Sequence, residues 1–378
     1  MGDLEGAYKV VVFVQNRGIT PSPIQLNGLI GAWLRSGSAE NVEKGETLAW
    51  SMIRARLDYV KLRQRRDVVK FYDPYDPVPQ PGEAEPEYFC RTRATAETFS
   101  ILAENYCSRR LHGRLQEVIE VLNEAEIGPT SFLMNQVIRS YSQNGEADEA
   151  VKLYHTMTTE QNIRPDGHTF LTLFNSLSVN RLIQRDPDLS RKDITAARHF
   201  FRDMVHAEWT FDSPEIFAQL PRTVLFSLLK AKDYRGVIVA AKAMRELFAF
   251  HPPESLLIEL ATGAGSLHVK TKRNTERLVV GRRTIETLMK RHRKALIENG
   301  HPGVEMTDEE KVDELHDVLE KLILLKAGAQ NAPLEEVRPL LEEAAREMGV
   351  YDIVFAGDAE QIAKHRKLGK QMMGGLVV

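Results

Sequence analysis

The chain has little cysteine. Two thiols among 378 residues, Cys90 and Cys107, exclude a disulfide scaffold and a cysteine-rich zinc fold. They fit a reducing compartment, as packing residues. No apolar run reaches the roughly 20 residues that cross a bilayer. The opening Met1-Gly2-Asp3-Leu4-Glu5-Gly6 has neither the basic-then-apolar order of a secretory signal nor the Arg-rich, acid-poor character of a mitochondrial presequence. Gly2 follows Met1, but Gly6 stands where a myristoylation site carries Ser or Thr. Charge of one sign is also scarce. The net charge is −3, so any nucleic-acid contact belongs to a local surface rather than to a polycationic molecule.

Catalytic signatures are absent too. There is no glycine-lysine phosphate loop, no His-Glu-x-x-His and no paired-cysteine metal spacing. His199 and His206 stand seven apart on one helix face, without a third ligand to complete a metal site. The sequence therefore nominates no catalytic residue, no metal ligand and no cofactor. Strand signals are confined to residues 9–14 and 353–355. The first reads as helix, because Gln15-Asn16-Arg17-Gly18-Ile19-Thr20-Pro21 after it looks like the end of a hairpin.

What is present is a helical pattern that recurs. Hydrophobic residues make up 43% and charged residues 27%, close to globular values, so the chain can bury a sizeable core. Its length allows two or three domains or one repeat array. Four segments carry apolar residues at i, i+3, i+4 and i+7, the stripe of a buried helix face. They are Leu26, Leu29, Ile30, Trp33; Phe99, Leu102, Ala103, Tyr106; Met134, Val137, Ile138, Tyr141; and Phe170, Leu173, Phe174, Leu177. The last three start 35 and 36 residues apart. Partner helices follow, with Leu115, Val118, Ile119 and Leu122 after Gly113, and Ala147, Ala150, Val151, Tyr154 and Met157 after Gly145. Gly145 suits a left-handed cap, and Pro165 ends the second helix. Hairpins of about 35 residues with two apolar faces are stable only when stacked.

Tetratricopeptide repeats share this size, but residues 131–166 resemble a pentatricopeptide repeat. The resemblance lies in Asn135 at the fifth place, Gly145 in the turn, Asp148-Glu149-Ala150 opening the second helix, Met157 near its end and Arg164-Pro165-Asp166 as terminus. Asn27 holds the same fifth place in Gln25-Leu26-Asn27-Gly28-Leu29-Ile30. The resemblance spans about residues 1–250, interrupted at 67–94. It departs at Ser100 and Leu171, which hold the fifth place in the second and fourth repeats, and Leu171 cannot bond a base edge. The fourth hairpin carries an insertion, 184–192, before a helix around Ala196, Phe200 and Met204. A fifth hairpin is expected over 221–248, with Arg222 at the base-reading place. Such degenerate arrays are similar to those of fungal and animal mitochondrial members of the family. Because the chain starts inside the second helix of a repeat, the resemblance also implies a fragment of a longer protein.

The expected fold is all-α: a right-handed solenoid of helix-turn-helix hairpins with a charged helical C-terminal region. Its parts are a partial repeat and first hairpin at 1–66, a Pro-rich linker at 67–94, repeats at 95–260 and the charged region at 261–378. The linker run Asp73-Pro74-Tyr75-Asp76-Pro77-Val78-Pro79-Gln80-Pro81-Gly82 forbids a helix. It is either a surface crossover or a docking peptide. Residues 270–294 carry ten basic residues against Glu276 and Glu286, whereas 305–320 are acidic. The basic segment, with Arg282, Arg283, Lys290 and Arg291, either contacts phosphates or pairs with the acidic one. Thr307 and Glu310 form a capping pair, and helices are expected over 334–348 and 359–373.

The resemblance implies single-stranded RNA as partner, without enzymatic activity. Asp352 and Asp358 are too few acids for the magnesium nuclease domain that some relatives add. The polar column Asn27, Ser100 and Asn135 is expected to face the concave groove. Asn135 with Asp166, the fifth and last residues of one repeat, implies a preference for uridine, with Phe132 and His168 clamping the base. The other reading of these residues is structural, with Asp166 capping the next helix. The setting implied is the mitochondrial matrix, in mRNA processing, stability or translational activation, with a transcript and the mitochondrial ribosome as partners. A protein-interaction scaffold without base reading is the competing function.

Overall fold

A computed structural model of the chain describes residues 4–64, 92–180, 187–207, 210–211, 213–253 and 334–350. It also describes single positions at 256, 260, 276, 279, 283, 287, 290, 294, 297 and 298. The described residues are all-α and fall into two compact units, Met1–Arg164 and Pro165–Val378. The linker, the acidic segment, the capping pair at Thr307, residues 353–355 and the helix expected at 359–373 lie outside the described residues.

The first unit contains α1 (Leu4–Asn16), α2 (Pro23–Arg35), α3 (Ala39–Gln64), α4 (Ala96–Ser108), α5 (His112–Glu124), α6 (Ser131–Asn144) and α7 (Ala147–Thr159). Residues 9–14 are thus helical, as the sequence implies. Hairpins α2–α3, α4–α5 and α6–α7 stack in series, α2 against α4 and α4 against α6. Side-chain caps set the register. Ser22 accepts from the Gln25 N–H while the Gln25 side chain accepts from the Ser22 N–H, a reciprocal capping box. Thr95 precedes α4 and Thr130 precedes α6, where Thr130 Oγ1 accepts from the Leu133 N–H. Gly145 ends α6 at φ +92°, a left-handed cap that glycine takes without strain.

The first three stripes read from sequence contribute to one core. Leu26, Ile30, Met52, Ile53, Phe99, Leu102, Tyr106, Leu115, Val118, Leu133 and Val137 cluster out of solvent. Each large side chain contributes about 1.5–3 kcal/mol by leaving water. Tyr106 is fully buried, yet its hydroxyl accepts from Trp50 Nε1 at 3.0 Å and from Arg114 at 3.3 Å. Those bonds offset the desolvation of the phenol.

The second unit contains α8 (Gly167–Ser176), a 3-10 turn (Ser178–Asn180), α9 (Pro187–His206), α10 (Pro214–Lys230), α11 (Tyr234–Phe248) and α12 (Leu334–Glu347). The amphipathic helix expected at 334–348 is α12, which packs on α9 and α11. The insertion in the fourth hairpin is absorbed in two ways. α9 runs for 20 residues and takes in part of it. The buried Asp193 of α9 then accepts from the backbone N–H groups of Ser178 and Val179, at 3.1 and 2.8 Å, capping the 3-10 turn. Arg198 is the unit's central ion. Its guanidinium donates to both oxygens of Asp233 at 2.7 and 2.6 Å and to Glu347 at 2.7 Å. Asp233 in turn caps α11 by accepting from the Gly236 N–H.

The fifth hairpin starts earlier than its sequence suggests. Ser213 Oγ accepts from the Ile216 N–H, and Pro214 occupies the first turn. Pro221, read as the hairpin start, lies buried inside α10. Counted from the cap, the fifth place is Ala218 and not Arg222, whose guanidinium sits 5.3 Å from the Phe226 ring.

Candidate nucleic-acid interface

The caps define where any groove residue must fall. Ser22, Thr95, Thr130, Asp166 and Ser213 each precede a first helix. Two residues beyond the cap come Ile24, Glu97, Phe132, His168 and Glu215, and all five are exposed. Five residues beyond it come Asn27, Ser100, Asn135, Leu171 and Ala218. An exposed position at cap+2 is expected, because it leads off the apolar stripe at cap+4 and cap+7. Ile24 at 77% and Phe132 at 42% exposure are apolar side chains left in water on this column. Ile24 was not singled out from sequence, although it holds the same offset from its cap as Phe132.

The fifth-place column is less open than expected. Asn27 is 1% exposed. Its Nδ2 donates to Thr95 Oγ1 at 3.2 Å and to Glu97 Oε2 at 3.0 Å, while its Oδ1 accepts from Thr98 Oγ1 at 2.8 Å. The amide is committed to the first turn of the next hairpin, which corrects the expectation that it projects into the groove. The reason is geometric. When hairpins stack, the fifth place of one helix meets the cap and third residue of the next, and Thr there can bond an amide from both sides. Asn135 is 6% exposed, whereas Ser100 is half-buried. In the first unit the exposed Phe132 and the half-buried Ser100 are therefore the best-presented candidates.

In the second unit, Asp166 accepts from the Thr169 N–H at 2.8 Å and from Thr169 Oγ1 at 3.0 Å. It is a helix cap, the structural role that its sequence context also allowed. His168, next along α8 but one, is exposed. Of the basic segment, Arg283 and Lys290 are exposed and helical, while Arg282 and Arg291 lie outside the described residues. His206 Nδ1 lies 2.7 Å from the Arg202 carbonyl.

The PPR repeat family model matches residues 129–178, the stretch that runs from the cap of α6 through α7 and α8 into the 3-10 turn. Over those residues the chain is similar to the PPR repeat family. No curated protein matches it. Phe132, Asn135, Asp166 and His168 all lie within the matched residues. No helix among the described residues is long and apolar enough to cross a membrane.

Proposed function

We propose that this PPR-repeat chain binds single-stranded RNA and acts in organellar gene expression, in the mitochondrial matrix, on the processing, stability or translation of a transcript. The observation that carries the reading is the exposed cap+2 place of α6. Phe132, within the matched segment, keeps an aromatic ring 42% exposed at the place where the family stacks bases. A ring left in water forgoes burial energy, and a stacked base returns about 1–3 kcal/mol of it. The Asn135 amide beside it is 6% exposed, so the ring rather than the amide carries the reading. The experiment is selection from a random single-stranded RNA pool. The wild-type protein is expected to enrich a motif, and Phe132→Ala to lose that enrichment. Recovery of an unenriched pool by the wild type would reject RNA reading.

One observation favours a second function, a protein-interaction scaffold. The Asn27 amide is closed by Thr95, Glu97 and Thr98, and Leu171 offers no base contact, so part of the array reads no base.

A further inference from the structure

The face of α6 that opens with Phe132 carries a cation two turns further on. Arg139 stands seven residues after Phe132, which returns it to the same face about 10 Å along the axis. It lies nine residues past the Thr130 cap and is exposed. Gln143, one turn later, ties it to the preceding hairpin. In the amide orientation that satisfies both ends, Gln143 Nε2 donates to the Cys107 carbonyl at 3.2 Å and Oε1 accepts from Arg139 Nε at 3.3 Å. That bond fixes the Nε edge of the guanidinium and leaves the edge formed by the two Nη groups for a ligand.

The same place on α2 is filled by a different residue. Cap+9 there is Gly31, and Arg35 lies back over it. Its Nη2 and Nη1 stand 3.1 and 3.4 Å from where a Cβ on Gly31 would be. Gly31 is buried and Arg35 is exposed. A glycine inside a helix weakens it, and here it makes room for a guanidinium. Arginine at cap+9, or glycine at cap+9 with arginine at cap+13, thus presents the same group at one place on helices two hairpins apart. In the second unit, Arg222 likewise stands nine residues past the Ser213 cap.

α4 packs between α2 and α6 and carries the exposed Glu104 at cap+9. Among the described residues, neither Arg35 nor Arg139 forms an ion pair with it or with another carboxylate. The planar fork of Arg suits a phosphodiester, which it binds through two parallel N–H groups. A strand whose base stacks on Phe132 carries its phosphates past the same helix face, where Arg139 waits with its Nη edge outward.

We propose that Arg139, oriented by Gln143, and Arg35, laid over Gly31, are phosphate-backbone contacts for the single-stranded RNA whose base stacks on Phe132. The proposal rests on the RNA-binding reading above and adds to it a contact blind to base identity.

The test is fluorescence anisotropy on the full chain with labelled 12-nucleotide oligouridylate and oligoadenylate, across a salt series. A ten-residue glutamate peptide is the non-nucleic probe. Arg139→Gln is expected to weaken both RNAs alike, on the order of fourfold at 0.15 M salt, and to lower the slope of log affinity against log salt by about 0.7, the share of one phosphate on a single strand. The double variant Arg35→Gln/Arg139→Gln should lower the slope by about 1.4. Arg139→Lys keeps the charge and should keep the slope; a slope lost equally in Arg139→Lys and Arg139→Gln would overturn a charge contact. Glu104→Gln removes the acid between the two cations and should tighten both RNAs, and weaker binding would count against the proposal. Unchanged slopes in Gln variants that bind RNA would overturn this contact and leave the RNA reading standing. Wild-type binding to neither RNA would overturn both. An effect of Arg139→Gln confined to one RNA would make Arg139 a base reader and overturn the backbone role. Equal, Arg139-dependent binding of the glutamate peptide would assign the surface to an acidic protein partner and overturn the RNA contact.

Discussion

Replacing Asn27 by Ala separates a groove residue from a structural one. The structure gives the amide three hydrogen bonds, to Thr95, Glu97 and Thr98, at 3.2, 3.0 and 2.8 Å. Thr98 is fully buried, so its hydroxyl proton finds no water once Oδ1 is gone. Each bond contributes about 1 kcal/mol net, and a stranded buried donor costs about 1–3 kcal/mol. Glu97 is exposed and recovers hydration, so its share is discounted. The sum is about 2 kcal/mol, a fall in Tm of about 4–8 °C for a unit of this size. Circular dichroism melts and urea titration measure it. Asn27→Asp should do similar damage, by setting a carboxylate against Glu97, and Glu97→Gln in the same chain should restore most of the loss. Full stability in Asn27→Ala together with weakened RNA binding would refute the reasoning and return the amide to the groove.

Other outcomes follow from the packing. Arg198→Met strands the buried Asp233 carboxylate and should destabilise the second unit by about 3–5 kcal/mol, read from urea unfolding. Gly167→Ala should unfold α8 locally, because a Cβ there would lie 2.1 Å from the Thr210 carbonyl oxygen and 2.4 Å from Ile216; hydrogen exchange over 167–176 should rise. In a Cys90→Ser background, Cys107 should resist iodoacetamide at pH 8 until the protein is denatured, because burial raises its thiol above the usual value. The buried Tyr106 phenol is likewise raised, chiefly by burial. Its stabilising effect is complete below pH 10 and is lost as pH rises through the folded-state value, so the Tyr106→Phe variant should show a flatter stability profile above pH 10.

Much of the fold was legible because local chemistry and global packing agree. The caps Thr95, Thr130 and Asp166 repeat the 35- and 36-residue spacing of the apolar stripes, and Gly145 takes the left-handed cap its context demanded. The fifth hairpin was misplaced for a local reason. Pro221 resembles a helix start, but Ser213-Pro214 is the stronger one, a capping hydroxyl followed by proline in the first turn. The candidate site was half legible. The exposed cap+2 places follow from helix periodicity alone. The closure of Asn27 depends on Thr98, 71 residues further along the chain, and no local pattern reveals a bond of that span.

The central claim is that the exposed Phe132 ring at the cap+2 place of α6 stacks an RNA base, and Phe132→Ala tests it most directly. The ring is 42% exposed, so its removal should leave the melting temperature almost unchanged. Anisotropy with the RNA recovered by selection should show affinity reduced about five- to a hundredfold, the equivalent of about 1–3 kcal/mol of lost stacking. Unchanged affinity in the Phe132→Ala protein would contradict the account.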